Sequence, residues 1–212
     1  MGVIKRGILG GFSGRVANIV GSSWKGIAYM RALPLSVANP NTAAQQAVRL
    51  GFTTAVECGK QLTAVLFPNF INPFVEKQSG FNAFVGQNSV NMDTWLLTDW
   101  STIVMSTGSI PAPTITDADY EIASGELTLE WTMAPGYVPG ANPPKSFVTN
   151  VKKKLKAAAC QDTLTTIDDE ACSIDIGGGL IVGDKIDIWL SCVSDDGKSV
   201  STSAYFEHTV TL

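Results

Sequence analysis

The chain is poor in the residues that carry catalysis. Its 212 residues contain one histidine, His208. A Ser-His-Asp or Cys-His nucleophilic arrangement would have to use it, and nothing near it in the sequence supports that geometry. A strand histidine facing solvent or a neighbour is the expectation. The four cysteines (Cys58, Cys160, Cys172, Cys192) lie far apart, with no Cys-x-x-Cys pair. That spacing disfavours a zinc site and thioredoxin-like chemistry. They are expected to be small buried hydrophobes, with Cys160 and Cys172 able to pair only in oxidising surroundings. No apolar run approaches the ~18 residues of a spanning helix. The start, MGVIKRGILGG, has charge but no continuous apolar core, so it does not read as a signal peptide. The expectation is a protein made and kept soluble, with no membrane partner.

Other chemistry is also missing. Gly7-Ile-Leu-Gly10-Gly11 and Gly177-Gly-Gly179 are glycine clusters, but neither reads GxxxxGK[ST] or sits between a strand and a helix. Asp168-Asp169-Glu170 and Asp195-Asp196 are adjacent acids in polar stretches. Such acids are solvated turns more often than the spaced pair a glycosidase needs. Asp117-Ala-Asp119 and Asp195-Asp-Gly197 are fragments of a calcium loop only. The sequence therefore points away from an enzyme, with no catalytic residue, metal or cofactor assigned.

Charge is low, at 16% of residues, and unevenly placed. Residues 1–110 hold eight bases and four acids, whereas residues 111–212 hold seven lysines and fifteen acids. Two regions are expected: a basic, glycine-rich docking region over 1–110 and an acidic β-sandwich over 111–212. The N-terminal stretch packs glycine too densely for a helix. Extended segments are expected near Val16–Val20 and Ser23–Arg31, joined by glycine-permitted turns. Such an arm or hairpin buries little by itself and should gain order from a partner, from another copy, or from the rest of the chain. Lys5, Arg6, Phe12, Arg15, Trp24, Lys25 and Arg31 are its candidate docking residues.

Apolar spacing from Val48 to Leu66 predicts a helix over Thr42–Phe67, capped at Thr42, weak at Gly59 and stopped by Pro68. A second helix is expected near Gly80–Asn91, a strand at Thr102–Met105, and a linker over Ser106–Pro113. Beyond it, Leu127, Leu129 and Trp131 alternate, as do Ile186, Ile188, Leu190 and Cys192. Strands are expected at Glu126–Trp131, Phe147–Val151, Ala171–Ile176, Gly183–Val193 and Val200–Val210, with a hairpin turn over Ser194–Lys198. The fold class is therefore α+β, ending in an immunoglobulin- or fibronectin-like sandwich. The run Lys152-Lys-Lys154-Leu-Lys156 lacks aromatics for base stacking. It is expected to guard a strand edge, and nucleic acid is disfavoured as a partner.

The segment from Gly10 through Gly21, Trp24-Lys25-Gly26 and Arg31 to Asn39-Pro40, Thr42, Gln45, Arg49 and Phe52 resembles a family of gut Bacteroidetes and their tailed phages. The family pattern carries G-x-x-G-x-V-G-x-x-x-W-K-G and N-P-x-T-x-x-Q-x-x-x-R-x-x-F, and this chain has Ala17 where the family has glycine. Gly183-Asp184 and Asp196-Gly197-Lys198-Ser199 through Tyr205 resemble the family's sandwich. The resemblance carries no catalytic residue. It implies a virion component of crAss-like phages, an auxiliary capsid protein held in many copies on the head. The implied partners are the major capsid protein or other virion proteins, with self-association also open. Alternatives are a tail component, or a bacterial sandwich module binding polysaccharide or the cell surface through Trp95, Trp100, Trp131 or Trp189.

Overall fold

The computed structural model describes residues 2–3, 11–36, 38–133, 137 and 142–212, with backbone only at 2–3. Lys5 and Arg6 lie outside them. Two compact units divide at Thr42/Ala43.

The first unit is a four-stranded antiparallel sheet: β1 (Gly2–Val3), β2 (Gly14–Val16), β3 (Ile19–Trp24) and β4 (Ile27–Ala32), in the order β1-β4-β3-β2. The two segments expected here each span a turn. Val16–Val20 contains the turn at Ala17-Asn18, and Ser23–Arg31 contains the turn at Lys25-Gly26. Lys25 and Gly26 both have positive φ, 48° and 81°, as a type I′ hairpin requires. The turn chemistry sits inside the apolar runs, which hides the strand ends from periodicity. The arm is thus a sheet rather than a single hairpin.

The second unit has three layers. Strands β5 (Thr114–Glu121), β6 (Glu126–Thr132) and β9 (Ala171–Asp175) form one antiparallel sheet in the order β5-β6-β9. Strands β7 (Lys145–Lys152), β8 (Ala157–Thr166), β10 (Lys185–Val193) and β11 (Ala204–Thr209) form the other, in the order β11-β10-β7-β8. The expected alternation holds. Leu127, Leu129 and Trp131 pack between the sheets against Ile186, Ile188, Leu190 and Cys192. Burying each such side chain stabilises by roughly 1.5–3 kcal/mol. The indole N–H of Trp131 donates to the Ile167 carbonyl at 2.8 Å. The fold is an α+β sandwich.

The third layer is helical and covers the other face of the four-stranded sheet. Helix α1 (Ala43–Leu62) and helix α2 (Gly80–Asn88) share a core with Phe147, Val151, Cys160 and Trp189. The helical stretch therefore belongs with the sandwich, and the units part near residue 42 rather than at the expected 110/111. Helix α1 ends before Phe67, and Pro68 does not stop the winding, because a π-helical turn runs over Phe67–Ile71. Pro68 sits in its first positions, where a missing N–H is harmless. Gly59 is a contact point rather than a weak spot: a Cβ there would lie 3.2 Å from Phe84 and 3.3 Å from Phe81. Helix α2 starts at the Ser79 cap, whose hydroxyl accepts from the Asn82 N–H, and ends at Asn88.

Thr102–Met105 is not a strand. The buried Asn88 amide takes the place of a neighbouring strand, accepting from the Val104 N–H at 2.9 Å and donating to the Val104 carbonyl at 3.1 Å. Ser106–Pro113 is no free linker either. Ser106 is buried, its Oγ 2.9 Å from both Ser191 Oγ and the Ser201 carbonyl. Ile110 then bridges Ser201 in parallel.

Candidate docking surfaces

Successive strand residues face opposite sides of a sheet. The pairings of the N-terminal sheet therefore sort its side chains. Arg15, Val20 and Arg31 form one cross-strand row, Ser22 and Tyr29 the next on that face, Trp24 and Ile27 the third. Trp24 is 64% exposed, and Lys25 Nζ lies 4.8 Å from its ring centroid. That distance is within cation–π range. The opposite face carries Gly21, and Phe12 lies across it so closely that any Cβ at Gly21 would strike the ring. Of the candidate docking residues, Arg15, Trp24 and Arg31 thus share a face, Lys25 flanks it, and Phe12 covers the other side. Tyr29 joins that face and was not singled out from sequence; its place two residues before Arg31 on one strand is the signal.

Residues 1–42 hold five bases and no acid, so the second unit carries a net charge of −9. Among the described residues of the first unit, Gly21 alone is buried. Among the described residues the sheet has almost no core of its own.

The outer face of the three-stranded sheet has the opposite character. Asp117, Asp119 and Glu121 of β5, Glu126 and Glu130 of β6, and Asp175 of β9 all point outward and are exposed. Asp117 lies opposite Glu130, and Glu126 lies between Glu121 and Asp175. Like charges placed directly opposite destabilise a sheet. Among the described residues, none of these carboxylates has a salt bridge. A groove of about 400 Å³ opens beside them, lined by Glu121, Glu126, Thr128 and Leu212 among others. This face was missed from sequence because β5 was missed. A bulge between Ile115 and Asp117 breaks its alternation.

A family profile described as a family of unknown function, DUF6266, matches residues 11–207. The chain belongs to the DUF6266 family. The matched range takes in strands of both units. A search of curated proteins finds no match. Among solved structures, a β-1,2-glucanase from Parabacteroides distasonis is similar at 14% identity and a TM-score of 0.32, over 49% of this chain and 13% of that one. A fourth FNIII domain from human is similar at 16% identity and a TM-score of 0.31, over 49% of this chain and 83% of that one.

Elsewhere in this DUF6266 chain, several polar side chains pair within the second unit. The lysine run does not guard an edge, because β7 lies between β10 and β8. Lys152 is buried and its Nζ donates to the Ile176 carbonyl at 2.7 Å. Lys153 bridges Asp187 and Glu207, and Lys154 pairs with Asp184. Burial pulls the Lys152 pKa down, partly offset by Asp175. His208 is buried rather than facing solvent. Burial lowers its pKa against the pull of Asp119 and Asp117. All four cysteines are free and buried, and burial pushes the Cys160, Cys172 and Cys192 thiols up to about 11. Among the described residues no His, Cys, Asp and Glu cluster could hold a metal ion. Trp95, Trp100, Trp131 and Trp189 are buried, so none is available to a carbohydrate groove. Trp95, Trp100, Trp189 and Tyr205 instead form a ring chain under the helices, with successive centroids 5.5, 6.2 and 5.4 Å apart.

Proposed function

We propose that this chain is a non-catalytic assembly protein, a structural virion component of the auxiliary capsid kind, bound to a phage head in many copies. The observation that carries the assembly reading is the N-terminal unit: five bases, no acid and an exposed Trp24 on a sheet with almost no core among the described residues. Such a sheet gains its stability from whatever covers it. The virion assignment rests on the resemblance of the N-terminal motifs. The sandwich suits an outward-facing module of the fibronectin type. Its fourth strand, β8, pairs with β7 in the second sheet, whereas a constant-type immunoglobulin domain puts that strand in the first. Many copies on a symmetric shell turn weak single contacts into firm attachment.

Mass spectrometry of purified virions tests the assignment. The chain is expected among the particle proteins; absence from particles with presence in the bacterial cytosol would overturn it. In a second assay the full chain binds purified shells, and residues 43–212 alone stay folded but do not bind.

A further inference from the structure

We infer that the basic face of the N-terminal sheet docks on a second copy of this chain, against the carboxylate face of its three-stranded sheet. The inference rests on the assembly reading and names one partner of the N-terminal unit.

Each face carries charge that its own unit does not balance with an ion pair among the described residues. Arg15 and Arg31 flank Val20 in one row, with Tyr29 and Trp24 in the rows beyond. No acid within residues 1–42 balances them. On the other unit six outward carboxylates repel one another across β5, β6 and β9 without a salt bridge among the described residues. Each face supplies what the other lacks. Arginine is suited to such a junction because its planar fork pairs with carboxylates in bidentate geometry. Trp24 supplies the large, rigid anchor around which interfaces concentrate their energy. The groove lined by Glu121, Glu126, Thr128 and Leu212 lies beside the carboxylates, where the docked indole would sit. Docking would also relieve the repulsion between Glu126 and its neighbours Glu121 and Asp175.

The two faces differ, so the contact is head-to-tail. A pair docked in this way still has one basic face and one carboxylate face unused. Such a contact yields a ring if it closes and a filament if it does not. An alternative occupant of a basic, aromatic sheet face is single-stranded nucleic acid. The carboxylate face of the same chain favours the second copy.

Sedimentation velocity on the purified full chain tests this. At about 50 mM ionic strength the mean mass is expected to rise with protein concentration. At about 500 mM it is expected to fall to that of one chain, since exposed charges are then screened. Arg15→Gln with Arg31→Gln should weaken association about tenfold or more. Asp119→Asn with Glu126→Gln and Glu130→Gln should do the same, and should melt no lower than the parent because like-charge pairs are removed. An equimolar mixture of the two variants has one intact basic face and one intact carboxylate face. It should form one-to-one dimers and nothing larger. Single-chain mass at every concentration would overturn the inference, as would variants that associate like the parent or a mixture that stays single. Binding of a fluorescent single-stranded oligonucleotide through Arg15 and Arg31, without self-association, would reassign the face and overturn it as well. These measurements need no particle. A chain that self-associates yet is absent from virions removes the virion reading alone, and a single chain found in virions removes this inference alone.

Discussion

Tyr205 donates a 2.7 Å hydrogen bond from its Oη to Asp187 Oδ1, across neighbouring strands beneath the helical layer. Asp187 is fully buried; Lys153 Nζ lies 3.3 Å from the same oxygen, and Oδ2 has no partner among the described residues. Burial raises the Asp187 pKa, while Tyr205 and Lys153 hold it down. Burial and the adjacent carboxylate push the Tyr205 phenol well up.

Tyr205→Phe removes that restraint. It should destabilise the second unit by about 2 kcal/mol near neutral pH, the scale of a hydrogen bond to a charged group. A raised folded pKa means the buried charge costs stability in full above that value, and the cost fades as pH falls through it towards the unfolded pKa. The deficit of Tyr205→Phe should therefore shrink towards acid pH. Asp187→Asn should cost less than Tyr205→Phe. Urea unfolding at several pH values measures all three, and a neutral Tyr205→Phe would show that the bond contributes nothing.

His208 is the single imidazole, so its proton resonance can be followed without assignment ambiguity. Burial lowers its folded pKa, with Asp119 and Asp117 opposing. Its titration midpoint should fall below the ordinary value of about 6.5. A depressed folded value contributes stability above the unfolded pKa that is lost as pH falls through the folded one. His208→Gln should flatten the stability profile in that window. A midpoint at or above 6.5 in the NMR titration would mean that the nearby carboxylates outweigh burial.

Two helix glycines should respond to alanine with opposite signs. A Cβ at Gly51 would lie 2.2 Å from the Met92 carbonyl oxygen, so backbone must move. Gly51→Ala should lower the melting temperature although alanine favours the helix by about 1 kcal/mol. At Gly86 nothing lies within 4 Å, and Gly86→Ala should raise stability by about that propensity difference. Thermal melts of the two variants decide it.

Ala17 adopts a left-handed backbone with φ of 48°. That conformation costs an L-residue roughly 1–2 kcal/mol and costs glycine little. It also gives a physical reason for the glycine expected at this position from the family resemblance. Ala17→Gly should slow amide exchange across β2 and β3. Unchanged or faster exchange would mean that the turn is not limiting.

Much of the sandwich was legible from local pattern. Leu127, Leu129 and Trp131 alternate in the sequence and lie together in the core, as do Ile186, Ile188, Leu190 and Cys192. Ser194–Lys198 reads as a turn and joins β10 to the chain leading into β11. The charge imbalance that distinguishes the N-terminal unit was likewise present in composition. Alternation, however, tells which side of a strand a residue takes and not what covers that side. Asp187, Trp189 and Ser191 alternate as an outer face, yet all three are buried, Trp189 in the core shared with the helices, Ser191 against Ser106 and Asp187 against Tyr205 and Lys153.

Long-range contacts decided the rest. The core that α1 and α2 share with β7, β8 and β10 joins the helices to the sandwich and moves the boundary to Thr42/Ala43. Only strand pairing brings Arg15 beside Arg31 through Val20, or sets Asp117 opposite Glu130 and Glu126 between Glu121 and Asp175. The sequence by itself determined the strands whose period was unbroken and the separation of charge. The tertiary structure gathered that charge into two opposed faces, because register across a sheet depends on turns and bulges such as those at Lys25-Gly26 and Ile115/Asp117.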